Sequence, residues 1–464
     1  MEDEAGSSFD PRITEVCNIL WGNNVTNEIF QRWSQGFVFS RDEPTALVQK
    51  AGGPCAVIAP MQAFVLKYVN SVNHMRSIKE DEILKILVQA ATDILKQTCK
   101  NNTNYFLFRR KKNRQVLNKL ESENDEDSGG GGGGGGVGGG GGTTIENEKV
   151  DDISPQILDL HNISFIKFHE NIEIVRKTGI EQVFREYSDD VTSYLTCSFG
   201  VLLFLYSVML TRGLDELKDE LADPTDSLIE NTFGYGSQSL INLMLTGRAV
   251  SHVWDHEHDI GGLKLKGLDK QSSVGFLTLL EHLQLCEVGS FFKNPEHPIW
   301  VLGSDTHLTV LFSFEKQLVG KETPWEEARR VFKTFDCEGN NFIAVKNLGP
   351  LLQALGLVCE DDYVEIMEKK LDSENLGIIL LKDFMDEFFP EEKKSTPDTF
   401  AVWHYNGLAK SSPDNKVRYH RGNAIILECN VRYVLESNSM LTVLQTKWPS
   451  IDVQWESNYT PSLN

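Results

Sequence analysis

The stretch Gly52-Gly-Pro-Cys55 constrains this chain most, because it forces a turn directly before a strongly apolar segment. Gly52, Gly53 and Pro54 make a turn that cannot continue as a helix, and proline is preorganised for the start of the next one. Cys55 is therefore predicted to open a helix, where free amides and the helix dipole stabilise a thiolate. Gln49, six residues upstream, can turn back as an oxyanion donor. Apolar residues follow at helical spacing, namely Val57, Ile58, Met61, Phe64, Val65 and Tyr68.

Cys55 also allows a plainer interpretation. Free cysteines are among the most buried residues and commonly act as small apolar side chains. A Gly-Gly-Pro turn before a helix is an ordinary loop, and signatures with a single cysteine do not transfer between protein families. The local sequence leaves Cys55 as either a nucleophile or a core residue.

A thiol nucleophile needs a base that later protonates the leaving amine, and His307 has the best context among the 11 histidines. It opens an apolar segment after a tight turn, where a strand can hold a side chain at the edge of a cleft. The alternative is a hydrogen-bonded strand histidine without a catalytic role. Asp305, two residues earlier, is a candidate third member, although turn residues are often simply solvated.

The cysteines occur singly along the chain, so neither a disulfide framework nor a structural zinc site is predicted. A reducing intracellular compartment is expected, and no metal or other cofactor is predicted. His252, His256 and His258 cluster within seven residues, but without a second group of ligands they indicate a polar surface loop. The eight cysteines are Cys17, Cys55, Cys99, Cys197, Cys286, Cys337, Cys359 and Cys429.

The formal net charge of −22 argues against nucleic acid and anionic membranes as partners. No basic region followed by an apolar region opens the sequence, so no secretory signal is predicted. The longest apolar run, 199–210, is expected to be too short to span a bilayer and to form a buried helix. We expect a monomer without nucleic-acid or membrane partners.

A glycine tract divides the chain. Residues 121–150 are acidic and then almost pure glycine, which cannot offset the entropy lost on ordering, so they are predicted to form a flexible insertion. The other predicted parts are the two halves of a catalytic domain at 1–120 and 151–323, a helical region at 324–392, and a β-rich segment at 393–464 that packs on the catalytic domain.

Periodicity and turn signals predict the individual elements. Helices are predicted around 13–20, 80–99, 164–176 and 200–211, and over most of 235–255 with Ser237 as cap and Gly247 as a stop. Strands are predicted at 105–108, 298–302, 306–313, 400–405, 424–428, 440–445 and 448–455.

Residues 336–347 and 372–383 have the register of EF-hand loops, with an acid at position one and isoleucine at position eight. Their calcium ligands are incomplete, because Asn347 and Asp383 replace the bidentate glutamate at position twelve and Leu376 occupies position five. An EF-hand-like pair with a structural role is predicted, and calcium binding is the less favoured alternative.

Three segments together resemble the MINDY deubiquitinases: Gln49 with Gly-Gly-Pro-Cys55, Ser304-Asp-Thr-His-Leu-Thr309, and Tyr235-Gly-Ser-Gln-Ser-Leu-Ile-Asn242. The resemblance covers nearly the whole chain, and the glycine tract is its clear departure. It implies an α+β protein with a papain-like cysteine peptidase fold and an inserted EF-hand-like helical region.

The resemblance also implies hydrolysis of lysine-48-linked polyubiquitin on ubiquitinated proteins in the nucleus or cytoplasm. Carried over to this sequence, Cys55 is the nucleophile, His307 the general base and acid, and Gln49 the oxyanion donor. A ubiquitin-binding or calcium-regulated adaptor with an inactive or latent protease-like domain is the alternative. The three intact site residues favour the enzyme, and the incomplete calcium loops weaken the calcium-regulated form of the adaptor.

Overall fold

The computed structural model describes residues 10–22, 25–111, 163–320, 323–336, 340–390, 396–427, 438–457 and 459–464, so the predicted glycine insertion lies outside the described residues. The α-helices are Pro11–Trp21, Asn27–Arg32, Cys55–Leu66, Val72–Ser77, Glu80–Thr98, Phe165–Glu170, Ile180–Asp189, Gly200–Arg212, Leu214–Glu220, Gln238–Thr246, Leu279–His282, Ser290–Lys293, Pro324–Phe335, Leu348–Ala354, Asp361–Leu371, Leu381–Phe388 and Ser439–Gln445. The strands are β1 (Tyr105–Arg110), β2 (Ile172–Lys177), β3 (Glu257–Ile260), β4 (Leu263–Lys266), β5 (Gly275–Thr278), β6 (Ile299–Gly303), β7 (Leu308–Phe312), β8 (Phe342–Ala344), β9 (Ile378–Leu380), β10 (Thr399–Tyr405), β11 (Tyr419–Ile426) and β12 (Ile451–Trp455).

Six strands form one sheet in the order β12-β11-β10-β7-β6-β5. Neighbours run antiparallel except β5 and β6, which are parallel. Strands that precede and follow the helices at 324–388 therefore share this sheet. The register pairs Tyr405 with Val310, so the residue after β10 and the residue before β7 emerge at the same edge.

The helix Cys55–Leu66 (the Cys55 helix) is buried along its whole length. It packs between the helices Glu80–Thr98 and Gln238–Thr246 on one side and β6 and β7 on the other. Burial of each large apolar side chain contributes about 1.5–3 kcal/mol. Gln62 is the polar exception, and its amide accepts from Leu47 N at 2.7 Å and donates to Thr45 O at 2.9 Å. The first residue of this helix consequently has a well-fixed position.

The prediction of a helix over 164–176 is wrong for its second half. The helix Phe165–Glu170 ends at Asn171, and the chain continues as β2, which pairs with β1 and sets Leu107 opposite Val175. Ile172, Ile174 and Val175 are β-branched, and their cross-strand partners outweigh the local helical pattern.

The strand predicted at 440–445 is also wrong, because Ser439–Gln445 is a helix. Asn438 caps it by accepting from Met440 N at 3.0 Å. Its buried residues, Met440, Val443 and Leu444, follow a spacing of three to four, which a strand would not place on one face.

The helix predicted over most of 235–255 is shorter than expected. It runs from Gln238 to Thr246, with Ser237 as the N-cap. Gly247 ends it in a left-handed conformation with φ of 79°, so the chain turns away before residue 248.

Residues 324–388 contain two helix–loop–helix pairs whose loops meet through the short antiparallel pair β8–β9. Asp336 accepts from Asn341 N at 2.8 Å, and Asp372 accepts from Gly377 N at 2.7 Å. Each first-position carboxylate thus stabilises its own loop. Among the described residues, no helix has both the length and the apolar character to span a bilayer.

Candidate active site

Cys55 lies at the first position of its helix, and the preceding turn depends on Gly53. Gly53 has φ of +125°, which residues with side chains rarely adopt. A Cβ there would also lie 3.1 Å from Trp33 Nε1 and 3.2 Å from Gly234 O. The glycine therefore lets the turn pack closely enough to bring Cys55 into the buried start of the helix.

His307 lies immediately before β7, where Ser304 fixes the turn. The Ser304 hydroxyl oxygen accepts from His307 N at 3.1 Å. The next residue, Leu308, directs its backbone amide at the Cys55 sulfur, which lowers the pKa of the thiol. The structure therefore brings β7, which begins at the residue after His307, against the nucleophile candidate.

Asn406, directly after β10, is the site residue that the sequence analysis missed. Its Oδ1 lies 3.0 Å from Nε2 of His307, and both side chains are buried. Asp305, the candidate from sequence, is exposed. A strand followed by Asn-Gly has the sequence of an ordinary turn, and only the β7–β10 register reveals that this turn meets His307.

The backbone of Gln49 pairs with residues 407–408, which directly follow Asn406. Its amide donates to Gly407 O at 2.8 Å, and it forms a parallel bridge with Leu408. Its side-chain amide donates to Ala51 O at 2.7 Å. A carboxamide carries two N–H donors, so a second one remains for a ligand.

Burial dominates the charge state of the Cys55–His307 pair. It raises the pKa of the Cys55 thiol to about 11, although the amides of Leu308 and Ala56 act in the opposite direction. Burial also lowers the pKa of His307 to about 4, against the raising effect of its bond to Asn406. Whereas the sequence predicts a stabilised thiolate, these pKa values favour a neutral Cys55 thiol and a neutral His307 imidazole at pH 7. This arrangement favours activation by a general base.

A second thiol–imidazole pair lies in the core. Cys17 Sγ is 3.1 Å from His169 Nε2, which is also 2.8 Å from the Tyr206 hydroxyl. Cys17 is in the middle of the helix Pro11–Trp21, where backbone amides are used within the helix. Burial raises the pKa of Cys17 to about 12. This pair has the environment of a structural core cluster.

We predict that His169 makes the protein less stable in acid. Burial lowers its pKa in the folded state from an ordinary 6.5 to about 4, so between pH 6.5 and pH 4 the unfolded chain binds the proton while the folded chain largely does not. The free energy of unfolding should fall as the pH drops from 6.5 towards 4, by roughly 2 kcal/mol from this residue between pH 7 and pH 5. Urea unfolding of wild type and His169→Gln at both pH values measures it. Equal pH dependence in the two proteins would contradict the prediction.

The histidine cluster near residue 255 is an aromatic stack. Trp254 lies between His252 and His258, with ring centroids 4.0 Å and 4.9 Å apart. In the described part of the chain, no group of three or more histidine, cysteine, aspartate or glutamate residues has the arrangement to hold a metal ion.

This chain is similar to known proteins over nearly its whole length. A family model, deubiquitinating enzyme MINDY-3/4 conserved domain, matches residues 144–341, a range that contains His307. The ubiquitin carboxyl-terminal hydrolase MINDY-3 homolog of Drosophila melanogaster is 48% identical, over 97% of this chain and 83% of its own length. Ubiquitin carboxyl-terminal hydrolase MINDY-3 is 42% identical in Xenopus tropicalis, over 97% of this chain and 98% of its own. The Homo sapiens protein of that name is 39% identical, over 97% and 99%.

Proposed function

This chain belongs to the MINDY-3/4 family of deubiquitinating enzymes, and we propose that Cys55 and His307 carry out its hydrolysis of ubiquitin conjugates. The observation that most supports this assignment is that the amide of Leu308, the residue after His307, faces the sulfur of the helix-opening Cys55, while Asn406 contacts His307. Cysteine, histidine and asparagine form the constellation of papain-like proteases. We propose a papain-like fold on the same basis.

The proposed reaction proceeds through a thioester. His307 takes the proton from Cys55, and the sulfur attacks the carbonyl carbon of the ubiquitin C-terminal glycine. His307 then donates that proton to the leaving lysine amine as the carbon–nitrogen bond breaks. Water, deprotonated by His307, attacks the thioester carbonyl and releases ubiquitin with a free carboxylate. The cycle ends with the thiol and the neutral imidazole restored.

Gln49 is the proposed oxyanion donor, together with the Cys55 amide. Its backbone is tied to residues 407–408, beside Asn406, and its side-chain amide has a second N–H. A preorganised donor of this kind stabilises the charge that develops on the substrate oxygen.

We therefore predict that Gln49→Ala lowers kcat for ubiquitin-chain cleavage by about 100- to 1,000-fold with little change in KM. Gln97→Ala is the matched control, because the Gln97 side chain likewise donates to a backbone carbonyl, Met244 O, but lies on the helix Glu80–Thr98. Full kcat in Gln49→Ala would mean that this amide only fastens the loop to Ala51.

The proposed substrate is lysine-48-linked polyubiquitin, and the net charge of −22 is compatible with the basic and apolar binding face of ubiquitin. We further propose that residues 324–392 are an EF-hand-like insertion between the catalytic parts at 1–120 and 151–323 and the segment 393–464, and that the protein acts in the nucleus or cytoplasm. Incubation of the wild-type protein with chains of each linkage, long and short, tests the substrate. Loss of lysine-48 chains alone supports it; binding of chains without any cleavage supports the adaptor alternative.

A further inference from the structure

Both the oxygen and the nitrogen of the Asn406 side-chain amide have hydrogen-bond partners. Its Nδ2 donates to Ser462 O at 3.1 Å and to Asn464 O at 3.3 Å. Its Oδ1 accepts from Leu408 N at 3.0 Å and lies 3.0 Å from Nε2 of His307. Two of the partners that orient this side chain thus belong to the segment 461–464.

These contacts determine which nitrogen of His307 carries the proton. Backbone carbonyls only accept hydrogen bonds, so the NH₂ group of Asn406 has to face Ser462 and Asn464. Its Oδ1 then faces His307 and can only accept, so Nε2 has to be the donor. In a neutral imidazole, protonation of Nε2 leaves Nδ1 with a free lone pair. That lone pair is what a base for the Cys55 thiol requires.

The segment 461–464 is itself well anchored. Leu463 is 2% exposed and belongs to the apolar cluster that includes Leu311 of β7 and Leu444. Asn464 Oδ1 accepts from the hydroxyls of Ser304 at 2.5 Å and Thr306 at 3.3 Å, in the turn before His307. The segment therefore holds the histidine from two directions, through this turn and through Asn406.

We propose that residues 461–464 are a positioning element of the active site, which keeps His307 in the tautomer with the proton on Nε2 and Nδ1 available to Cys55. This inference rests on the proposed roles of Cys55 and His307. The segment acts on His307 through Asn406 and has no proposed contact with the substrate or the sulfur.

The test compares two leucine-to-alanine variants in one apolar cluster. Leu463→Ala loosens the segment, whereas Leu444→Ala removes a similar buried side chain from the helix Ser439–Gln445, outside the segment 461–464. We expect kcat to fall about 10- to 100-fold in Leu463→Ala, and further when 462–464 are deleted, with KM within about twofold of wild type. Leu444→Ala should retain the wild-type kcat. Equal losses in the two point variants would overturn the proposal.

A spectroscopic readout separates positioning from general destabilisation. In ¹⁵N-histidine-labelled wild type without substrate, the His307 signals should show a protonated Nε2 and an unprotonated Nδ1. In Leu463→Ala they should move towards a mixture of tautomers, and in Leu444→Ala they should not move. A wild-type His307 protonated on Nδ1, or unchanged signals in Leu463→Ala, would contradict the proposal. Because no substrate is present, this result is distinct from a failure of the proposed function, which would appear as chain cleavage that survives Cys55→Ala.

Discussion

Cys55→Ala is expected to reduce cleavage of ubiquitin chains by about 10⁴-fold or more, because no other group on the reaction path replaces the attacking sulfur. The substitution removes one atom from a buried position at the start of a helix, so the fold should persist. Initial rates on lysine-48-linked chains measure the loss. Binding of the same chains to the variant should remain close to wild type, since catalysis and affinity depend on different contacts.

Cys17→Ala is the matched control for this prediction. Cys17 is likewise a buried thiol close to a histidine, but it lies in the middle of a helix. Its replacement should leave kcat within about twofold of wild type while lowering stability by roughly 1 kcal/mol. If Cys17→Ala abolished cleavage and Cys55→Ala did not, the assignment of the nucleophile would be reversed.

His307→Gln is expected to lower kcat by about 10³- to 10⁴-fold. The Cys55 pKa of about 11 leaves very little thiolate at neutral pH, so the reaction depends on a base that removes the proton. The residual rate should rise with increasing pH, because hydroxide then supplies the thiolate that His307 no longer generates. A pH–rate profile from pH 6 to 10 for wild type and variant measures both effects.

His169→Gln is the corresponding control, since it removes the imidazole of the core pair. It should retain the wild-type kcat and pH profile at temperatures well below its unfolding transition. A His307→Gln variant with an unchanged rate at pH 7 would show that another group is the base.

The parts of the site near Cys55 could be predicted from sequence because their signals are local. Gly53 and Pro54 form the turn before the helix, and the apolar run after Cys55 specifies that this helix is buried. The turn before His307 specifies the hairpin of β6 and β7. The observed bounds Cys55–Leu66 and Leu308–Phe312 follow from these patterns.

Asn406 could not be predicted in the same way. It lies 99 residues from His307 in sequence, on the far side of the helices at 324–388. Its role depends on the pairing of β10 with β7, which is set by contacts throughout the sheet. The incorrect assignments at 172–176 and 440–445 have a related cause, because a short apolar pattern fits both a helix and a strand. Pairing with β1 makes residues 172–176 a strand, and the cap from Asn438 favours a helix at 440–445.

The nucleophile is identified by reacting the wild-type protein with ubiquitin whose C-terminal carboxyl is replaced by a thiol-reactive electrophile, and mapping the adduct by mass spectrometry. The electrophile occupies the position of the carbonyl carbon that the nucleophile attacks, so it labels the attacking sulfur. We predict a single adduct, on Cys55. An adduct on Cys17 or another cysteine, or none from a preparation that cleaves chains, would contradict the proposed site.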